Sequence, residues 1–422
     1  MAGTPRIVIL GAGFAGIEVA RRLGRAGIAA TLVDRQNHHL FQPLLYQVAT
    51  AALSPADIAE PIRKMLRGLS GIEVMLDAVT GIDTAARIVS LASGRTLGYD
   101  ILVVATGATH SYFGHDDWAK YAPGLKTIED ARQIRSRLLL AFEQAEMSRD
   151  PQEQRRLMTI AVVGGGPTGV ELAGSIAELA RYALSKDFHH IRAETATVLL
   201  LEAGPRILAA FPPSLADYAT ARLGRIGVTV RTGCAVGDVT ADGVTANGAK
   251  IGAGLVIWAA GVRASRLGAM LGVATDRAGR VTVGRDLSVQ GLSRVYALGD
   301  IALCPDAHGK PLPGLAQVAK QQGVWLGNAL ARTIEAGAAP APFVFHNRGN
   351  TAIIGRHAAV FDFGWSRMKG WLAWAFWALI HVYLLVGFQH RLLVAIQWAW
   401  RYVTYERGSR LIAENGRIAN SE

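Results

Sequence analysis

Two stretches of the chain have glycine spacing that could hold a pyrophosphate. Gly11-Ala12-Gly13-Phe14-Ala15-Gly16 and Gly164-Gly165-Gly166-Pro167-Thr168-Gly169 both read G-x-G-x-x-G. Glycines in this pattern let the backbone turn tightly and bring the amides of a helix N-terminus against an anion. Each motif is followed by an acid at the end of an apolar run: Asp34, 23 residues after Gly11, and Glu202, 38 residues after Gly164. A carboxylate there can accept hydrogen bonds from the ribose hydroxyls of an adenine nucleotide. At Glu202 it would also repel a 2′-phosphate, which favours NADH over NADPH. Later, Gln317 and Gln321 lie four apart in Ala316-Gln317-Val318-Ala319-Lys320-Gln321-Gln322-Gly323, which reads as the start of a helix. That spacing puts both amides on one helix face. Paired amides can hydrogen-bond a neutral carbonyl acceptor; helix capping or plain solvent exposure is the alternative reading.

The elements needed to position these groups are legible around both motifs. Arg6-Ile7-Val8-Ile9-Leu10 is a short apolar run of the kind buried in a parallel sheet, and a helical stretch from Ile17 to Ala26 and a strand from Ala30 to Val33 follow. The second copy runs from the strand Thr159–Val163 through a helix over 170–184 to the strand Val198–Leu201. Its extra length lies around 185–195, a basic stretch that either extends the helix or loops out. Two strand–glycine–helix–strand–acid units are far more specific than one.

Three further strings resemble those of two-dinucleotide flavoproteins: Ile101 to Ala105-Thr106-Gly107, Leu255 to Ala259-Ala260-Gly261, and Val295 to Gly299-Asp300. The resemblance implies an α/β fold with two Rossmann-like dinucleotide-binding domains, the second inserted in the first. Non-covalent FAD is expected on the first and NADH on the second, with Asp300 at the ribityl-phosphate region. The boundaries read as 1–118 and 285–340 for the FAD domain, 119–284 for the NADH domain, and 341–422 for a C-terminal region of short strands, at the apolar runs Phe343–Phe345, Ala352–Ile354 and Ala358–Phe363, and membrane-associating helices.

Which electron acceptor follows is partly a matter of exclusion. Dithiol reductases of this fold need cysteine just after the second strand, where this chain has Asn37-His38-His39-Leu40-Phe41-Gln42-Pro43-Leu44-Leu45-Tyr46-Gln47-Val48. Its two cysteines, Cys234 and Cys304, lie elsewhere, and they make neither a disulfide framework nor a zinc site; no metal centre is expected. With both dinucleotide motifs, Phe41–Val48 and Ala316–Gly323 make the chain resemble the type II NADH:quinone oxidoreductases over nearly its whole length. The resemblance implies a quinone pocket at Gln317 and Gln321 and a catalytic acid near the flavin at Glu171, whose alternative is a solvated first-turn helix acid. It also extends the FAD contacts to Gly11, Gly13, Phe14, Ala15, Gly16, Asp34, Arg35, Pro43, Leu44, Ala105, Thr106, Gly107, Gly299, Asp300, Ala316 and Gln317. The NADH contacts are Gly164, Gly166, Thr168, Gly169, Glu202, Ala260 and Gly261. A soluble NAD(P)H-dependent flavoreductase of the same fold, reducing ferredoxin or oxygen, is the competing reading.

Composition bears on the partners. The chain has 422 residues, half of them hydrophobic, and a formal net charge of +11. High apolar content excludes disorder, while the charge raises nucleic acid or an anionic membrane as partners. Between residues 366 and 417 seven Lys/Arg face two acids, and five of the nine tryptophans fall there: Trp371, Trp374, Trp377, Trp398 and Trp400. Trp371 to Phe388 reads as an apolar helix of 18 residues, with Trp374, Trp377, His381 and Phe388 on one stripe, and Arg391 to Val403 as a second. Aromatic stripes flanked by cations fit helices lying on anionic lipid; spanning the bilayer and packing as core or against a dimer partner are the alternative readings. The expectation is peripheral, monotopic attachment to the cytoplasmic side of a cell inner membrane, a membrane quinone as acceptor, a homodimer and no nucleic acid. Nothing resembles proton-pumping machinery, which would need several spans and intramembrane acids.

Overall fold

The computed structural model describes residues 5–337, 341–385, 388–404 and 408–412. In chain order the elements that matter are β1 (Ile7–Leu10), α1 (Gly16–Arg25), β2 (Ala30–Asp34), α2 (Leu45–Ala49), β3 (Ile72–Leu76), β4 (Ile101–Val104), α3 (Ile128–Met147), β5 (Thr159–Val163), α4 (Pro167–Glu178), β6 (Thr197–Leu201), β7 (Val228–Arg231), β8 (Leu255–Trp258), β9 (Val295–Ala297), α5 (Ala316–Ala336), β10 (Asn350–Gly355), β11 (Ala358–Asp362), β12 (Arg367–Gly370), α6 (Trp371–Leu384) and α7 (Phe388–Thr404). They gather into two compact units.

The first unit comprises residues 1–40, 59–109 and 262–348. Its heart is a parallel sheet in the order β9-β4-β1-β2-β3. Every residue of β1 and β4 is buried, as a strand covered on both faces requires. Helix α5 lies directly on α1: a Cβ on Gly323 would stand 2.2 Å from the Ala15 carbonyl oxygen, and one on Gly327 2.6 Å from Cβ of Arg22. Two glycines four apart therefore bring α5 down onto the start of the first dinucleotide helix.

The second unit comprises residues 41–58, 110–261 and 349–422. Its parallel sheet runs β7-β6-β5-β8. The antiparallel hairpin sheet β10-β11-β12 covers α4, where a Cβ on Gly174 would stand 2.2 Å from the Ile354 carbonyl oxygen. Segment 41–58 joins this unit through α2, whose Thr50 hydroxyl lies 2.7 Å from that of Ser175.

The units change over at 109/110, 261/262 and 348/349, against expected boundaries at 118/119, 284/285 and 340/341. Apolar burial explains the difference. Ala264, Leu271, Val281, Val283 and Phe343 are core residues of the first unit, packed with Leu102 and Val295. Phe343–Phe345 is not a strand, and β12 is a strand the apolar pattern does not show. The stretch around 185–195 forms short 3₁₀ turns rather than more α-helix. The expected 18-residue helix from Trp371 stops at Leu384, because Leu385 is extended (φ −57°, ψ 142°). Its 14 residues span about 21 Å. Among the described residues no helix is long and apolar enough to cross a membrane.

Candidate functional site

The two glycine loops are built alike, atom for atom. Gly11 N–H donates to the Val33 carbonyl (2.8 Å) and Gly164 N–H to that of Leu201 (2.7 Å), tying each loop to the next strand. Both glycines have positive φ, +95° and +108°. A Cβ on Gly11 would stand 2.6 Å from the Ala105 oxygen, and one on Gly164 2.6 Å from the backbone of Ala259 and Ala260. A Cβ on Gly16 or Gly169 would fall 1.9 or 1.8 Å from the oxygen of Gly11 or Gly164. The middle glycines are different. Around a Cβ on Gly13 the nearest atom is 4.0 Å away, and around one on Gly166 there is nothing within 4 Å. The outer glycines thus close the loop on its own backbone, and the middle ones leave the open approach that a pyrophosphate needs. Neither α1 nor α4 has a side-chain N-cap, unlike α3, which Thr127 and Asp130 close in a capping box.

The strand-end acids hold these loops. Asp34 accepts from Ala12 N–H (2.6 Å) and Gln36 N–H (2.8 Å). Glu202 accepts from Gly165 N–H and Gly204 N–H, both at 2.6 Å. Each carboxylate oxygen has a second lone pair, so a ribose hydroxyl can add to these bonds.

Around the first loop the residues fit FAD. Gly13 leaves the cradle open, and the buried Thr106 hydroxyl has no protein partner among the described residues, as expected of a group waiting for a ligand atom. Two residues not named among the expected FAD contacts support this cradle. Buried His39 has its pKa lowered by burial, so it is neutral; its Nδ1–H donates to the Ala12 carbonyl (2.9 Å) and its ring meets Phe14 edge-on at 5.2 Å. Buried Gln322 accepts Gly299 N–H at 2.7 Å and so fixes the Gly299-Asp300 turn, where Gly299 has φ +71°. Gln322 was foreseeable: with Val318, four residues earlier, it shares the buried face of α5. Arg35 is exposed, and Ala316 is half-buried at the start of α5. Pro43 and Leu44 fall in the second unit, where the Leu44 side chain is wholly buried.

The glutamine pair does share a face of α5, and its amides are engaged. Gln321 donates to the His346 carbonyl (2.9 Å) and accepts His346 N–H (3.0 Å). Gln317 accepts Arg348 N–H (3.1 Å) and lies 3.5 Å from the Asn347 side-chain oxygen. The pair clamps the polar turn 346–348.

Glu171 is not a solvated helix acid. It faces a pocket in the second unit that encloses about 140 Å³. Along α4, Glu171, Ser175 and Glu178 line one side; Tyr46 and Gln47 come from α2, and Trp374, Trp377, Trp398 and Tyr402 from α6 and α7. Burial pushes the Glu171 carboxyl up to about 8, against a single long bond from Ile353 N–H at 3.4 Å. It therefore carries a proton at neutral pH. Trp377 stacks on Trp398 (5.2 Å) and His381 (4.3 Å); its own N–H is buried without an acceptor among the described residues. Trp398 N–H donates to Gln47 (3.0 Å), whose amide donates to the Tyr46 hydroxyl (2.9 Å).

The aromatic stripe thus turns inward, contrary to a lipid-facing reading: Trp377 and His381 are buried and Trp374 half-buried. The exposed side of α6 is Leu372, Phe376, Leu379 and Tyr383, and that of α7 includes Leu393, Ile396, Trp400 and Val403. The Phe388 side chain lies outside the described features, as do Glu406, Arg407, Glu414 and Arg417.

A parallel-sheet unit with an open glycine loop, repeated, defines a pyridine-nucleotide flavoprotein, and residues 5–323 match the family model described as pyridine nucleotide-disulphide oxidoreductase. The similarity narrows further over full length. The chain is 41% identical to the type II NADH:quinone oxidoreductase Ndh of Mycobacterium tuberculosis, over 99% of this chain and 92% of that protein. It is 40% identical to NdhA of the same organism, over 97% and 90%. Its fold superposes on that of NDH2 from Plasmodium falciparum, solved with NADH, at a TM-score of 0.89 and 21% identity, covering 98% of this chain and all of that one. The chain belongs to the type II NADH:quinone oxidoreductases, FAD-dependent enzymes that oxidise NADH.

Proposed function

We propose a division of labour in which the first unit holds FAD, the second holds NADH, and the Glu171 pocket serves the quinone. FAD, when bound, supplies the hydride-accepting and electron-donating chemistry. The chain's own residues bind, orient and handle protons. Gly164, Gly166 and Gly169 admit the NADH pyrophosphate beside Thr168. Glu202 takes the adenosine ribose, and Ala260 and Gly261 border the nicotinamide half.

The observation that carries the acceptor side is the Glu171 carboxyl, its pKa raised by burial, facing a pocket walled by tyrosines and tryptophans. Such a wall suits a flat apolar headgroup, and Trp377 N–H is a donor for its carbonyl. With Oε1 of Glu171 toward Ile353 N–H, Oε2 would carry the proton and pass it to one quinone oxygen as the two electrons arrive, while water supplies the second proton and reprotonates Glu171. In the first unit, Gln317 and Gln321 together fix the 346–348 turn, and Gln321 keeps a second amide N–H. Trp377→Phe tests the pocket. Losing one donor should raise the KM for a short-chain quinone about 3- to 10-fold and leave flavin reduction by NADH unchanged. An unchanged quinone KM would contradict this placement.

The exposed apolar stripes of α6 and α7, beside exposed Arg367 and Lys369, support a monotopic foot on an anionic surface. We place it on the cytoplasmic side of a cell inner membrane, where NADH is supplied, and take the enzyme to be a homodimer. A soluble flavoreductase would gain nothing from such stripes.

A further inference from the structure

The turn Ala259-Ala260-Gly261 carries an aromatic ring that its counterpart Ala105-Thr106-Gly107 lacks, and Gly261 does not share the positive φ of Gly107 (+64°). Phe113 is 67% exposed, yet a Cβ on Gly261 would stand 2.6 Å from its Cζ. On Gly107 a Cβ would meet nothing within 4 Å. A side chain at residue 261 would push the ring out of this position. Its backbone is held in a costly conformation, φ +53°, which a bulky residue rarely adopts, and Gly114 follows at φ +99°. Neighbouring bonds impose this shape. Ser111 N–H donates to the Gly261 carbonyl (3.1 Å), and Trp258 Nε1–H donates to the Ser111 carbonyl (2.7 Å). Tyr112 turns inward to stack on Trp258 at 5.3 Å, while Phe113 turns outward and meets Trp258 edge-on at 6.3 Å.

A strained backbone that displays a large apolar ring to water is unfavourable twice over. Such strain persists where the surroundings over-determine it, and it clusters at ligand clamps. The ring stands at the carboxyl end of β8, next to the turn that packs against Gly164 of the phosphate loop. In open parallel sheets that end is where ligands lie. We propose that Phe113 is the stacking wall for the nicotinamide half of the dinucleotide, a role that rests on the reading of the second loop as the NADH site. A flat ring with a carboxamide is the group an exposed phenyl face would take up. The adenosine half lies on the side of Glu202 and does not depend on this ring.

The test uses the FAD-loaded enzyme, calorimetric titration and two probes: NAD⁺, which carries the nicotinamide, and ADP-ribose, which lacks it. Phe113→Ala should weaken NAD⁺ about tenfold and leave ADP-ribose within twofold. Phe113→Tyr should restore NAD⁺ binding. Phe113→Gly relieves the φ strain, so its thermal midpoint should equal or exceed that of Phe113→Ala while NAD⁺ binding stays weak. Unchanged NAD⁺ binding in the alanine variant overturns the proposal. So does an equal loss of both probes with a lowered midpoint in the glycine variant, which would make the ring a packing element. If the unsubstituted enzyme binds neither probe, the reading of the second loop fails first, and the proposal falls with it.

Discussion

Replacing Glu171 by Gln removes one titrating proton and keeps the shape of the side chain. The carboxyl is displaced from 4.5 to about 8 by burial. Below pH 4.5 folded and unfolded chains both hold this proton. Between 4.5 and 8 only the folded chain does, so stability falls as pH rises through that window and levels off above it. The full displacement corresponds to roughly 5 kcal/mol at about 1.36 kcal/mol per pH unit. The pocket opens to water, so a loss of about 2–3 kcal/mol between pH 5 and 9 is the working figure. The Gln variant should lack this loss, and its urea midpoint relative to the parent should rise from pH 5 to pH 9. The kinetic consequence is separable. Stopped-flow reoxidation of NADH-reduced enzyme by a short-chain quinone should slow about a hundredfold at pH 7, the lower range for losing a general acid. The parent rate should fall above pH 8, and the Gln rate should be flat. Flavin reduction by NADH should be the same in both. Equal reoxidation rates with the same pH profile would refute the proton-donor role, even if the stability shift were observed.

The two glycine loops should fail independently. Gly16→Ala puts a methyl 1.9 Å from a backbone oxygen and should yield protein that retains little FAD, read from the 450 nm absorbance. Gly169→Ala, at 1.8 Å, should retain FAD and lose reduction by NADH. Glu202→Ala removes the carboxylate that would repel a 2′-phosphate and the bonds to Gly165 and Gly204, so the ratio of kcat/KM for NADH over NADPH should fall at least tenfold, with a weaker NADH KM. A paired Leu379→Asp and Trp400→Asp change places charge on both exposed stripes and should release the protein from anionic vesicles in flotation while turnover with water-soluble quinone persists. Retained flotation would remove α6 and α7 from the membrane role.

The two glycine loops and their strand-end acids were legible because their constraints are local. Glycine spacing, a buried four-residue strand and a terminal acid recur twice, and the structure repeats their hydrogen bonds. The boundaries were not legible, since which core takes residues 262–284 depends on long-range packing of Val281 and Val283 with the first sheet. The same holds for α6. A helical stripe shows that Trp377 and His381 share a face, but not whether that face meets lipid or Trp398. Glu171 was identifiable only through the family resemblance; its raised pKa arises from burial in the folded second unit, which outweighs the lowering bond from Ile353 N–H, 182 residues away in sequence. Phe113 lies in no motif, and only its φ and its place over Gly261 set it apart.

The central claim is that NADH electrons leave this protein to a quinone. It is tested most directly by anaerobic titration of the FAD-loaded enzyme. One equivalent of NADH should bleach the 450 nm flavin band, and one equivalent of short-chain quinone should restore it fully within seconds. A flavin that NADH reduces but quinone leaves bleached, while a disulfide or ferredoxin restores it, would contradict the account.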